Sequence, residues 1–209
     1  MLSLLFVQVL TGLALTGTLV AVLLGRSGWS ASREPVRVIA VHAPARGTQA
    51  AWITGTISAV FWGVGVFLAP TDAYHWPAFP DFPDSWVVQI LGIILAATGG
   101  TLYARAARVL GRHMTPAIRV QDGHRLVQEG PYRYIRHPVY TAILSVAIGQ
   151  SLFFLSVPVA LLALLLIGLA RYRARLEERL LASPEAFGDT YLAYMARTGR
   201  FLPRLSSTQ

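Results

Sequence analysis

The chain of 209 residues contains no cysteine. Disulfides, thiolate nucleophiles and cysteine metal sites are therefore excluded. Lysine is also absent, and all 18 basic residues are arginine. That removes Schiff-base chemistry and a phosphate-loop lysine. Charge of either sign is scarce: 13% of residues are charged, against about 25% in a soluble domain. The five histidines, His42, His75, His113, His124 and His137, form no i, i+4 pair suited to a helical zinc site. No Gly-x-Ser-x-Gly elbow, dinucleotide fingerprint or phosphate-binding loop occurs. Internal repeats and low-complexity segments are missing too.

What is present is apolar. The mean hydropathy is +0.51. Leu2 to Leu24 is a nearly unbroken apolar run, long enough to span a bilayer. It lacks the positive leading region of a signal peptide, so it reads as a permanent first span. A polar stretch with Arg26, Arg33, Arg37 and Arg46 follows. A second span runs from about Ala50 to Ala69 and a third from Trp86 to Tyr103. Gly55, Ala59 and Gly63 on the second, and Gly92, Ala96 and Gly100 on the third, form small-residue stripes that permit close helix packing in lipid. Between these spans, Thr71 to Ser85 carries three prolines, three aspartates and no arginine. Its Tyr74, Trp76, Phe79 and Phe82 suit an interfacial aromatic belt.

Arginine placement orients the chain. Four arginines lie between the first two spans, none between the second and third, seven from Arg105 to Arg136, and seven from Arg171 onward. The positive-inside rule puts the arginine-rich regions in the cytoplasm, with the N-terminus outside and the C-terminus inside. The net charge of +8 thus points to anionic headgroups and an anionic substrate, not to nucleic acid. Arg105, Arg108 and Arg112 continue the third span at helical spacing. Thr115-Pro116 breaks that helix, and Asp122-Gly123 marks a turn. Two apolar blocks, Val139–Leu155 and Val157–Ala170, suggest two tilted spans or a re-entrant hairpin, turning at Ser156-Val157-Pro158. The tail from Arg171 is polar and helical in pattern, divided by Ser183-Pro184 and Gly188. The expectation is an all-α integral membrane protein of about five segments. Residues 1–104 form a three-span region with a cytosolic loop at 26–48. Residues 105–209 hold the membrane hairpin 139–170, cytosolic C-terminal helices and a cytosolic site.

Chemistry-bearing side chains gather in Gly130-Pro131-Tyr132-Arg133-Tyr134-Ile135-Arg136-His137-Pro138-Val139-Tyr140. A residue before proline is pushed out of the α region, and Pro138 suits a first helical position. The pattern predicts an extended or turned segment ending at a helix N-terminus, where free N–H groups suit an anion. An arginine-rich membrane-edge loop has the same composition. Glu177 and Glu178 are adjacent, about 100° apart on a helix, and are expected to diverge and pair with Arg173 and Arg175. Tyr191, Tyr194 and Met195 share a helical face, as packing residues do. The apolar blocks hold almost no ionisable groups, which disfavours a transporter. One polar site at a membrane edge suits an enzyme with one water-soluble and one lipid-soluble substrate.

Two blocks resemble the isoprenylcysteine carboxyl methyltransferase family. The first is His124-Arg125-Leu126-Val127-Gln128-Glu129 running into Gly130 to Tyr140. The second is Glu177-Glu178, then Phe187-Gly188-Asp189-x-Tyr191-x-x-Tyr194, then Arg200-Phe201-Leu202-Pro203. The likeness covers roughly Leu110 to Leu205. It implies an integral membrane enzyme that uses S-adenosylmethionine, with a lipophilic or prenylated acceptor entering between helices. Carried over by position, it implies cofactor contacts at His124, Leu126, Val127, Gly130, Tyr132, His137, Tyr140 and Glu178. It implies catalytic roles for Arg136, Tyr140 and Glu178, with Arg136 near the cofactor or the substrate carboxylate. Ala142, His113-Met114-Thr115 and the stretch Arg179 to Ala186 depart from the family pattern. A carboxylate, an amine (as in phospholipid methylation) and a small thiol all remain open as acceptors. A sterol-reductase-like enzyme using a reduced nicotinamide shares the helical layout, and a non-catalytic scaffold is the reading from outside enzymology. The all-arginine, alanine-rich composition fits a GC-rich bacterial genome, hence an inner membrane. In that setting prenylated Cys-a-a-X proteins would not be native substrates, although isoprenylcysteine analogues would serve.

Overall fold

The computed structural model describes residues 85–111, 125–155 and 157–204. The first two expected spans, the aromatic-proline loop, Thr115-Pro116, Asp122-Gly123 and His124 lie outside the described residues. So do the polar loop and the N-terminal side of the expected topology.

Four α-helices are described: α1 (Ser85–Leu110), α2 (Pro138–Phe154), α3 (Val157–Leu181) and α4 (Gly188–Arg197). A short 3-10 turn, Gly130–Arg133, precedes α2. No β-strand occurs among the described residues; Ile135 and Gly199 form an isolated parallel bridge. Helix α1 passes the expected membrane edge at Tyr103 and continues to Leu110, as the spacing of Arg105 and Arg108 predicts. From Trp86 to Leu110 it is long and apolar enough to cross a membrane. It runs unbroken through residues 104 and 105.

Helices α1 and α2 pack most extensively, and small residues set their distance. A Cβ on Gly92 would fall 2.5 Å from the Gly149 carbonyl oxygen, and one on Gly149 would fall 2.6 Å from that of Gly92. A Cβ on Gly99 would lie 2.8 Å from the Ala142 oxygen, whereas one on Gly100 would meet open space. The expected stripe is therefore corrected from Gly100 to Gly99. Seven residues turn a helix through nearly two full circles, so Gly99 shares the face of Gly92 and Gly100 lies about 80° round from it. Buried Gln89 joins the same contact, donating from Nε2 to the Phe153 carbonyl at 3.0 Å.

Leu155 takes the left-handed conformation (φ 48°) where α2 ends. The chain reverses there and α3 packs back through Ala147, Val159, Ala163 and Leu166. Leu161, Leu164 and Leu165 on α3 stay exposed. The apolar block and the start of the polar tail are one helix: α3 runs through Ala170 to Leu181. Charged residues after Ala170 retain helical spacing, and only Ser183-Pro184 stops it. A compact turn follows, with the Gly188 N–H donating to the Ser183 oxygen at 3.0 Å. Gly188 then starts α4, as the sequence predicts.

Candidate active site

The segment before α2 folds back because its sequence demands it. Gly130 adopts φ +55°, a conformation a side chain resists. Pro131 then opens the 3-10 turn. His137 is the N-cap of α2 with φ −123° and ψ 59°, and Pro138 is the first helical residue. The His137 backbone thus lies outside the α region, as the His-Pro step predicts, in a turned and not an extended conformation. The His137 and Arg136 N–H groups do not face open space, however. Arg136 donates to the Gly199 carbonyl at 2.9 Å and His137 to the Arg200 carbonyl at 3.1 Å.

Around His137 the two motif blocks converge. Glu178, on α3, is buried, with its side chain 5% exposed. Arg136 donates from Nε to its Oε1 at 2.9 Å. Arg200 donates from Nε to both of its oxygens at 3.0 Å. Nε2 of His137 lies 3.3 Å from Glu178 Oε1, but out of line for a hydrogen bond, and is a buried nitrogen without a partner. Burial opposes the charge on Glu178. The contacts with His137, Arg200 and Arg136 outweigh it and hold the carboxyl well below the usual carboxylate range. The same carboxylate raises the Arg200 guanidinium above its ordinary value.

Glu177 reaches the other side of the ring. Its Oε2 lies 3.6 Å from His137 Nδ1 and accepts from the Tyr140 hydroxyl at 3.2 Å. The two glutamates were expected to diverge; instead they bracket one imidazole. The 100° between them is the angle needed to reach two edges of a ring standing over the helix. Glu178 also turns to the distant Arg136 and Arg200, where pairing with the helical neighbour Arg175 was expected. The Tyr140 ring stacks on His137 at 5.4 Å, and the buried Arg173 guanidinium sits 5.7 Å from its centroid.

Arg136 is 9% exposed. Besides Glu178, its guanidinium reaches the carbonyls of Met195, at 3.1 Å, and Thr198. Its hydrogen bonds are thus directed to the protein itself. Tyr132 is buried and its carbonyl accepts from the Tyr194 hydroxyl at 2.6 Å. Burial first, and the nearby Glu177 second, push the Tyr132 phenol well above its ordinary value. Tyr194 is pushed up to about 12, mainly by burial. Tyr191 and Tyr194 pack edge to face at 5.8 Å, the packing role their spacing predicts. Leu126 and Val127 are half-buried in the chain leading to Gly130.

The structure therefore brings Tyr132, Arg136, His137, Tyr140 and Glu178 together and adds Glu177, Thr198, Gly199 and Arg200. Glu177 was legible as half of the acidic pair. Arg200 and Thr198 lie twenty or more residues from Glu178 and more than sixty from Arg136, beyond any helical spacing. No cluster of His, Asp and Glu able to hold a metal occurs among the described residues.

Residues 90–183 match the model of the isoprenylcysteine carboxyl methyltransferase family. A probable protein-S-isoprenylcysteine O-methyltransferase of Oryza sativa subsp. indica is 28% identical over 127 residues, 60% of this chain and 66% of that protein. The Homo sapiens protein-S-isoprenylcysteine O-methyltransferase is 23% identical over 154 residues, 73% of this chain and 48% of the relative. The chain thus spans between about half and two thirds of these curated relatives. Among solved structures, the eukaryotic intramembrane Ras methyltransferase matches with a TM-score of 0.57 at 20% identity, over 74% of this chain and 53% of that one. The resemblance read from the two sequence blocks is borne out, and the helical fold is shared with that solved structure.

Proposed function

We propose, with the family match over residues 90–183 as premise, that this chain is an integral membrane methyltransferase. It takes the methyl group from S-adenosylmethionine and places it on the carboxylate of an isoprenylcysteine-like acceptor. The site faces the cytoplasm within a five-segment helical protein. The observation that carries this reading is the His137 centre, set between two glutamates at the mouth of α2.

The residues present fit the cofactor. A ligand with a sulfonium and an ammonium needs an accessible carboxylate beside aromatic faces. Glu177 is 33% exposed and lies against the His137 and Tyr140 rings. Leu126, Val127, Gly130 and Tyr132 form the adjoining wall in this reading, with His124 preceding them. S-adenosylmethionine, when bound, supplies an electrophilic methyl group.

The chain's own task is to bind, orient and exclude water. Alignment of nucleophile and methyl carbon is the main source of rate in such a displacement, up to about 7–11 kcal/mol. Glu178, kept ionised between two arginines, is a poor proton acceptor. A carboxylate acceptor of pKa about 3.5 is already ionised and needs no base. The Glu178 environment thus favours a carboxylate over an amine or thiol. Arg136 contributes by holding Glu178 and the C-terminal segment, and Tyr140 by orienting Glu177.

Calorimetric titration of the detergent-purified protein with S-adenosylmethionine tests the reading, followed by methyl-ester formation on N-acetyl-S-farnesylcysteine. Saturable binding, lost in Glu177→Ala, and ester formation are expected. Absence of binding to folded protein, or binding of a reduced nicotinamide instead, would overturn it.

A further inference from the structure

Beyond α4 the chain doubles back over the His137 centre. The Gly199 N–H donates to the Tyr134 oxygen at 3.2 Å, and the Gly199 and Arg200 carbonyls accept from Arg136 and His137. The Thr141 hydroxyl donates to the Phe201 carbonyl at 2.8 Å. The Phe201 ring lies 6.0 Å from the His137 ring. Arg200 joins this segment to Glu178 on α3, and Arg136 joins the motif to Met195 and Thr198. One buried carboxylate thereby ties three segments together.

The turn leaves no room for a side chain at residue 199. A Cβ there would stand 1.7 Å from the Leu202 carbonyl oxygen. Larger residues must open the turn, and opening it withdraws the acceptors from Arg136 and His137. Those N–H groups sit at the start of α2, where the helix itself offers no partner. Arg200 is the more accessible of the two arginines on Glu178, its side chain 31% exposed against 9% for Arg136.

We infer that residues 198–204 form a positioning strap, in which Gly199 and Arg200 hold His137 and Glu178 in the geometry that binds the cofactor. The clause about the cofactor rests on the proposed function; the docking of the strap onto His137 does not.

The test uses the full chain in detergent, as wild type, Gly199→Val, Arg200→Met and Arg200→Lys. Without cofactor, amide hydrogen exchange of the peptide spanning Arg136 to Tyr140 should accelerate by roughly tenfold or more in Gly199→Val and Arg200→Met. Peptides across the α1–α2 contact should be unchanged. S-adenosylmethionine should bind roughly tenfold more weakly to both variants. Arg200→Lys, which keeps the charge, should recover to within about threefold of wild type. Unaltered exchange at Arg136–Tyr140, or acceleration spread equally over every helix, would overturn the strap. Local acceleration with wild-type cofactor affinity would reduce residues 198–204 to a structural tail and overturn their role in the site. Should the wild type bind no S-adenosylmethionine, the methyl-transfer reading falls, and the exchange measurement alone then decides the strap.

Discussion

At the level of single residues, Glu178 joins Arg136 and Arg200 beside His137. It is a buried carboxylate whose Arg136 partner is nearly as buried. Removing one member of such a pair strands the other in a poorly solvated place. Glu178→Gln should therefore lower stability by about 3 kcal/mol, read from chemical denaturation in detergent; an unchanged midpoint would show that Arg136 finds another partner. The same residue fixes a pH dependence. Its folded-state pKa lies below the unfolded value, so its stabilisation is complete above the ordinary glutamate range, about 4.3. It is lost as pH falls through the depressed folded value. The wild-type midpoint should fall as the medium is acidified below about pH 4, and Glu178→Gln should show a flatter profile there. Glu177, more exposed and bonded to Tyr140, serves differently: Glu177→Gln should weaken cofactor binding with little change in stability.

Between elements, the α1–α2 contact is controlled by glycines whose replacements have calculable consequences. Gly149→Leu places carbon where the Gly92 carbonyl and the Ala96 backbone already stand. Overpacking of this kind costs about 1–3 kcal/mol. Gly100→Leu adds a side chain where nothing lies within 4 Å and should leave thermal stability unchanged or slightly raised. Gly149 lies at the observed α1–α2 contact and Gly100 on the stripe read from the sequence, so comparing the two variants' melting temperatures separates the observed face from the expected one. Equal effects would place Gly100 against another part of the chain.

At the scale of the whole molecule, the absence of cysteine is an experimental advantage. Single thiols introduced at Glu185 and at Leu164, both exposed, report the orientation proposed from arginine placement. A membrane-impermeant maleimide should label the position-185 thiol in inverted vesicles and not in intact spheroplasts. The position-164 thiol, on the apolar side of α3, should stay unlabelled in both. Labelling of position 185 in intact spheroplasts would reverse the topology. In the proposed topology the site would sit where α3 leaves the apolar layer, since Leu165 and Glu177 are twelve residues, about 18 Å, apart on one helix.

Much of this was legible in the chain itself, because it depends on neighbours in sequence. Apolar length gave α1, the His-Pro step gave the entry to α2, Ser183-Pro184 and Gly188 gave the α3–α4 break, and the motif blocks pointed to Tyr132, Arg136, His137, Tyr140 and Glu178. Each rests on backbone sterics or helical period, which act over a few residues. Tertiary structure alone decided that both glutamates serve one imidazole, that Gly99 and not Gly100 faces α2, and that Arg136 turns toward Glu178, Met195 and Thr198. It alone brought Gly199 and Arg200 onto the motif. These depend on the direction of a side chain from its helix axis and on contacts across about sixty residues. A one-dimensional pattern carries neither until a packed partner selects one direction from those the period allows.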